Sequence, residues 1–100
     1  MAFDLSIVVP AFDEELRLGG SITTILEYLT TNSINAELVI VDDGSRDKTA
    51  QVARDVAANY SAIAVNVIRY EQNRGKGFAV KTGLQAARSD IALFRDADLS

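Results

Sequence analysis

The sequence predicts an α/β domain built on a parallel β-sheet. Two short, β-branched and almost continuous apolar runs, residues 5–10 and 37–42, are typical of parallel strands that are buried on both faces. Runs at 64–69 and 91–96 have the same character. Apolar residues repeat at helical spacing between these runs, so the predicted order is β-α-β-α-β-α-β within one domain, residues 1–100.

Each predicted helix carries one apolar face. The faces are formed, in chain order, by Leu18, Ile22, Ile25, Leu26 and Leu29; by Val52, Val56 and Tyr60; and by Val80, Gly83, Leu84 and Ala87. Ser45 is predicted to be the N-cap of the second helix, with Asp47 in its first turn. Helices that connect parallel strands with right-handed crossovers are expected to cover both faces of the sheet.

The composition excludes several classes of chemistry. The chain has 100 residues, a net charge of −4, no cysteine and no histidine. Disulfides, Cys/His zinc sites, cysteine nucleophiles and Ser-His-Asp triads are therefore excluded, and acid–base or metal chemistry must use Asp, Glu, Lys, Arg or Tyr. The acidic balance argues against general binding to nucleic acid. No stretch has the ~20 apolar residues of a membrane span or the pattern of a secretory signal.

Polar motifs cluster where strands end, which is where open α/β sheets bind ligands. "PAFDEE" follows the first strand, "DDGSRD" ends the second and "RDAD" closes the fourth. Taken alone, each motif also has a structural explanation that requires no ligand. Acidic residues are favoured in the first turn of a helix, and a tight turn favours Asp, Gly and Ser. Phe12 could belong to the core as well as to a stacking surface.

The adjacent acids Asp42 and Asp43 favour a binding role, because neighbouring like charges are unfavourable unless something binds or separates them. Carboxylates at such a strand end accept hydrogen bonds from ribose hydroxyls or a base N–H in nucleotide-binding folds. Gly44 permits the tight turn that follows.

The "NRGKG" segment, residues 73–77, combines glycines with positive charge before the third helix. Gly75 lets the backbone approach a ligand, while Arg74 and Lys76 and the free N–H groups of the helix N-terminus would attract an anion. A flexible basic turn is the alternative. The segment is not a P-loop.

Asp96 and Asp98 are two residues apart and can point the same way in an extended segment. Two hard oxygen ligands at this spacing suit Mg²⁺ or Mn²⁺, which take further ligands from water and substrate phosphates. A solvated strand end is the alternative for such a common pattern.

Together, "IVVPAFDEE", "VIVDDGSRDKT", "NRGKGFAVKTGLQAARSD" and "LFRDADLS" resemble the family 2 glycosyltransferases over nearly the whole chain, in the family's order and spacing. They are most similar to the dolichyl- or polyprenyl-phosphate glucosyltransferase branch. The resemblance implies the Rossmann-like GT-A fold of nucleotide-diphospho-sugar transferases, with the fourth strand beside the first. It also implies an inverting, metal-dependent transfer from a nucleotide-diphosphate sugar, with UDP-glucose favoured over a GDP-sugar. The implied acceptor is a lipid phosphate, such as a polyprenyl phosphate, or a glycan.

The resemblance also assigns site residues. Donor binding is expected at Pro10, Ala11, Phe12, Glu14, Asp42, Asp43, Arg74, Gly75, Lys76 and Asp96. Asp96 and Asp98 are expected to bind Mg²⁺ or Mn²⁺. The implied location is the cytoplasm, at the cytoplasmic face of a membrane for the full-length parent.

Two departures from the family pattern stand out. The family usually has Asn at the position of Asp13, so this chain adds a negative charge near the donor site. The sequence ends two residues after Asp98, so the general base is expected beyond Ser100 and the fragment alone is expected to be inactive. A sheet truncated after the fourth strand would expose an apolar edge, which predicts marginal stability or self-association unless a partner covers that edge.

Three other interpretations stay open at this level. A non-catalytic nucleotide-sugar-binding remnant would share the same site. A receiver-type signalling domain would also alternate strands and helices and use Mg²⁺, although its acidic pair would follow the first strand. A nucleotidyltransferase of similar fold would carry a glycine- and arginine-rich first loop, which this chain lacks.

Overall fold

A computed structural model describes residues 3–96 as four strands and three helices. The elements are β1 (Leu5–Ala11), α1 (Leu18–Thr31), β2 (Ala36–Asp43), α2 (Thr49–Ala57), β3 (Ala64–Tyr70), α3 (Lys76–Ala86) and β4 (Ala92–Phe94). The predicted alternation of strands and helices is confirmed.

The four strands form one parallel sheet in the order β3-β2-β1-β4. The chain steps from β1 to β2 to β3 in one direction and then crosses back to place β4 beside β1. This reversal creates a switch point at the carboxyl ends of β1 and β4, as in doubly wound nucleotide-binding sheets. A receiver-type sheet instead places β1 between β2 and β3, so this interpretation was wrong.

The reversal also decides which face each helix covers. α1 and α2 pack on one face, where Val9, Leu38 and Ile40 meet the apolar side of α1. α3 lies on the opposite face, against Val8 and Val41. Right-handed crossovers require this arrangement, because the connection made in the reverse direction must pass over the other face.

Two details of the helices differ from the sequence prediction. Ser45 is not the N-cap of α2, since that helix begins at Thr49, and the Asp47 carboxylate accepts a hydrogen bond from the Thr49 N–H at 3.0 Å. The buried positions of α3 are Ala79 and Gly83, whereas Leu84 is exposed. A helix pressed closely against a sheet must present small residues, and a search for large apolar side chains does not find them.

A buried carboxylate holds the amino-terminal end of the sheet together. Glu37 at the start of β2 accepts hydrogen bonds from the Ser6 hydroxyl at 2.6 Å and from the Arg88 backbone N–H at 2.5 Å. The Arg88 side chain also donates to it at 3.1 Å, and the Ser6 hydroxyl in turn accepts from the Ser89 N–H. These contacts fix the connection from α3 to β4, and therefore the position of β4 beside β1.

Strand β4 lies at one edge of the sheet among the described residues, and it pairs with only three residues of β1. Ile91, Leu93 and Phe94, which lie along or beside it, are about half exposed. The predicted exposed apolar edge is thus present within residues 3–96, while self-association stays a prediction. In this same part of the chain, no helix is long and apolar enough to cross a bilayer.

Candidate functional site

A cavity of about 580 Å³ opens at the carboxyl end of the sheet, between the loops that follow β1 and β2 and the start of α3. Its volume lies within the range of small-molecule binding sites. The cavity is lined by Pro10, Ala11, Phe12, Glu14, Asp43, Asn73, Gly75, Lys76, Ala79 and Asp96.

The loop after β1 is held in place by the loop after β2. The Glu14 N–H donates to the Thr49 hydroxyl at 3.0 Å, and the Lys48 N–H donates to the Glu15 carboxylate at 2.8 Å. Glu14 lines the cavity, and its carboxylate forms a two-point ion pair with Arg17, at 2.8 and 2.9 Å. Since the two loops lock each other, one wall of the cavity is preorganised.

The loop after β2 also packs tightly against the segment that leads into α3. Gly44 has a φ of +69°, and a Cβ atom at this position would lie 2.5 Å from the Asn73 backbone nitrogen. Only glycine combines this backbone conformation with so close an approach. The predicted tight turn at Gly44 is therefore confirmed.

Asp43 organises the opposite wall of the cavity. Its buried carboxylate accepts hydrogen bonds from the Arg74 and Gly75 backbone N–H groups, both at 2.9 Å, and from the Asn73 side chain at 2.7 Å. The Tyr70 hydroxyl is a fourth donor. Burial and this hydrogen bond raise the pKa of the Tyr70 hydroxyl well above its ordinary value. Asp43 therefore shapes the loop that precedes α3.

Asp42 points to the other side of the strand and does not line the cavity. It is completely buried, and one carboxylate oxygen accepts from the Ser45 N–H at 2.9 Å. Its second oxygen has no hydrogen-bond partner but lies 3.5 Å from Nε of Arg69. The 3.5 Å contact is an electrostatic pairing rather than a hydrogen bond. Asp42 is thus compensated by the protein's own cation.

Asp96 reaches the cavity from beyond the end of β4. Its carboxylate lies 2.6 Å from the Lys76 ammonium group, and both side chains are about half exposed. The same ammonium group lies 4.9 Å from the centre of the Phe94 ring. Asp98, the second predicted metal ligand, lies outside the described residues. Within residues 3–96, no group of three potential metal ligands is gathered at one point.

The structure brings eight of the ten predicted donor-site residues to one cavity and leaves Asp42 and Arg74 off its lining. The exposed Arg74 guanidinium instead lies 5.3 Å from the centre of the Phe78 ring. Two further lining residues, Asn73 and Ala79, were not predicted from the sequence to belong to the site. The position of Asn73 as the first residue of "NRGKG" could have indicated it, whereas an alanine gives no chemical indication of a binding role. The binding roles of all these residues stay predictions.

Comparison with known proteins places this geometry in a family. The model of glycosyl transferase family 2 matches residues 6–100. The chain belongs to this family. Its four-stranded parallel sheet is that of the family's GT-A, Rossmann-like fold, as the sequence resemblance implied.

Individual proteins are similar to this chain along nearly its whole length. A Drosophila melanogaster dolichyl-phosphate beta-glucosyltransferase is 38% identical over 102 residues, which cover 97% of this chain and 31% of the relative. A mannosyltransferase from Pyrobaculum calidifontis, solved with GDP-Man and Mn²⁺, has a TM-score of 0.85 at 27% identity, covering 98% of this chain and 28% of that one. The chain thus spans less than a third of the length of either protein.

A third similar protein was solved with a uridine nucleotide. Glucosyl-3-phosphoglycerate synthase from Mycobacterium tuberculosis, in complex with Mn²⁺, UDP and glucosyl-3-phosphoglycerate, has a TM-score of 0.74 at 30% identity. The match covers 98% of this chain and 34% of the synthase. Proteins that share this part of the fold therefore include ones solved with either a guanosine or a uridine nucleotide.

Proposed function

We propose that this chain forms the donor-binding part of an inverting glycosyltransferase that moves a sugar from a nucleotide-diphosphate sugar to a polyprenyl phosphate. The observation that carries the proposal is the cavity at the switch point, where all but two of the predicted donor-site residues meet. Glucose and the lipid phosphate are supported by the dolichyl-phosphate beta-glucosyltransferases among the relatives. UDP-glucose is the proposed donor.

The chemistry of the lining residues matches the base, ribose and diphosphate parts of such a donor. Phe12, with Pro10 and Ala11 beside it, offers a flat apolar surface for a base. Glu14 supplies acceptor oxygens for ribose or base donors, whereas Asp43, whose carboxylate already accepts four hydrogen bonds, contributes by shaping the 73–75 loop. Gly75 N-caps α3 and Lys76 begins it, so the helix N-terminus and the ammonium group together favour a diphosphate.

A divalent cation fits the acidic side of this cavity. Asp96 presents a half-exposed carboxylate to it, which is a hard oxygen ligand of the kind that Mg²⁺ and Mn²⁺ prefer. Asp98 would be its partner. When bound, the cation would stabilise the negative charge of the departing nucleoside diphosphate. A cation on Asp96 would replace Lys76 in its 2.6 Å ion pair, and the freed ammonium group would then add a second positive charge for the diphosphate.

The proposal limits what these residues can do alone. They would bind and orient the donor, while the general base that inversion requires is proposed to lie beyond Ser100. A lipid acceptor implies that the full-length protein works at a membrane face, and we assign it to the cytoplasmic face. Transfer assays on the full-length protein would separate this proposal from a non-catalytic binding module.

Isothermal titration of the chain with UDP-glucose, UDP and GDP, each with and without Mn²⁺, tests the proposal. We expect Mn²⁺-dependent binding of the uridine nucleotides that exceeds binding of GDP. Asp96→Asn should remove the Mn²⁺-dependent part, because the metal loses an anionic ligand. The matched control, Asp90→Asn, removes a charge from an exposed residue that does not line the cavity. A folded chain that binds none of these nucleotides would overturn the proposal.

A further inference from the structure

A cluster outside the cavity joins the loop after β1 to the loop after β2. The Asp13 N–H donates to the Ser45 hydroxyl at 2.9 Å, and the Arg46 N–H donates back to the Asp13 carboxylate at 2.9 Å. The Arg46 guanidinium makes two further bonds to that carboxylate, at 2.6 and 3.2 Å. The extra negative charge of Asp13 is thus paired within the protein, and the Arg46 guanidinium holds the pKa of that carboxyl below its ordinary value.

The backbone conformation of Asp13 restricts which residues could make this pair. Its φ is +50°, in the left-handed region where Asp and Asn are among the few tolerated residues besides glycine. Asp13 therefore both adopts the sharp bend after β1 and holds the guanidinium. The bend begins at the residue that follows Phe12, so it also determines how the Phe12 ring is presented.

Arg46 contacts that ring directly. Its guanidinium carbon lies 5.6 Å from the centre of the Phe12 ring, within the range of cation–π attraction. Phe12 lines the cavity, whereas neither Asp13 nor Arg46 does. An effect of these two residues on a ligand in the cavity would therefore pass through the aromatic ring.

We infer that Arg46, oriented by Asp13, is a positioning residue that holds the Phe12 ring as the stacking surface for the nucleotide base. This inference rests on the proposed function, because it assumes that a nucleotide occupies the cavity. It assigns base recognition to a pair of charged residues that do not touch the nucleotide. Binding of the diphosphate part should be independent of this pair.

Titrations with UDP–Mn²⁺ and with pyrophosphate–Mn²⁺, which has no base, separate the two contributions. We expect Arg46→Gln to weaken UDP binding roughly two- to fivefold, the range of one exposed cation–π contact, and to leave pyrophosphate binding unchanged. Lys48→Gln is the matched control, since it removes one positive charge from the same loop and Lys48 does not line the cavity. It should leave both ligands unaffected.

A double-mutant cycle with Phe12→Leu tests whether the ring transmits the effect. Once the ring is absent, Arg46→Gln should cause no further loss of UDP affinity. Equal weakening of UDP and pyrophosphate by Arg46→Gln, no weakening of either, or additive losses in the cycle would each overturn the inference. Failure of the wild-type chain to bind both ligands would instead overturn the proposed function on which it rests.

Discussion

The contact between α3 and the sheet at Gly83 allows a quantitative test of how the fold is packed. A Cβ atom added to Gly83 would lie 2.3 Å from Cγ1 of Val8 and 3.2 Å from Cγ2 of Val41. Carbon atoms at rest are ~3.5–4.0 Å apart, so the helix or the strand must retreat by more than ~1 Å. Val8 is fully buried and β-branched, so its side chain cannot rotate away freely.

Two opposing terms set the stability of Gly83→Ala. Replacing glycine inside a helix gains up to about 1 kcal/mol in helix propensity. Overpacking a closely fitted core costs about 1–3 kcal/mol. At this separation we place the cost at the upper end of that range, so the expected net loss is about 1–2 kcal/mol. In a domain of this size, each kcal/mol lowers Tm by about 4–8 °C.

Gly77 provides a control in the same helix. A Cβ at this position would meet no atom within 4 Å, so Gly77→Ala gains propensity without a clash. Urea unfolding followed by circular dichroism should rank Gly77→Ala at or slightly above wild type and Gly83→Ala clearly below it. Equal stability of Gly83→Ala and Gly77→Ala would show that α3 does not lie this close to β1.

Three further predictions follow from other contacts. Asp43→Asn should lower the free energy of unfolding by about 1–3 kcal/mol, because the NH₂ group of asparagine would face the N–H donors that now bond to the carboxylate. Asp90→Asn should leave the free energy of unfolding unchanged, and equal urea midpoints for the two variants would contradict the prediction. Burial raises the pKa of the Glu37 carboxyl, but hydrogen bonds from Ser6 and Arg88 outweigh it and lower the pKa overall. Glu37 therefore adds stability that is complete above the pKa of the unfolded state and is lost as the pH falls through the lower pKa of the folded state. Glu37→Gln should lack this loss in urea unfolding measured between about pH 3 and 6. Parallel curves of unfolding free energy against pH for the variant and wild type would disprove the assignment. Leu93→Lys should reduce self-association through the β4 edge, measured by sedimentation velocity over a concentration series, and a wild-type chain that is monomeric throughout would refute the edge prediction.

The sequence was informative about the sheet because the strands are buried on both faces. Runs such as 37–42 combine β-branched residues with burial, and this combination leaves a continuous apolar signal. The order of the strands does not follow from such runs, since periodicity does not say which strand lies beside which. The position of β4 beside β1 was implied only by the resemblance to the family.

Contacts between distant residues explain what the sequence did not predict. The Ser45 hydroxyl accepts from the Asp13 N–H, 32 residues away, instead of capping α2. The apolar face of α3 could not be predicted from large side chains, because close packing selects Ala79 and Gly83. In both cases a tertiary contact overrides a local preference that was reasonable in isolation.

The adjacent carboxylates of Asp42 and Asp43 show how a local signal can be right for a different reason. Their repulsion suggested that a ligand separates them, yet the pleat of β2 already directs them to opposite faces. Arg69 lies beside one and four hydrogen-bond donors surround the other, so neither requires a ligand to be compensated. Since only Asp43 lines the cavity, the case for a donor site depends on the loop that Asp43 shapes and on the residues this loop brings to the switch point. Asp43→Asn should therefore weaken ligand binding through the 73–75 loop, while substitution of Arg69 should affect stability alone.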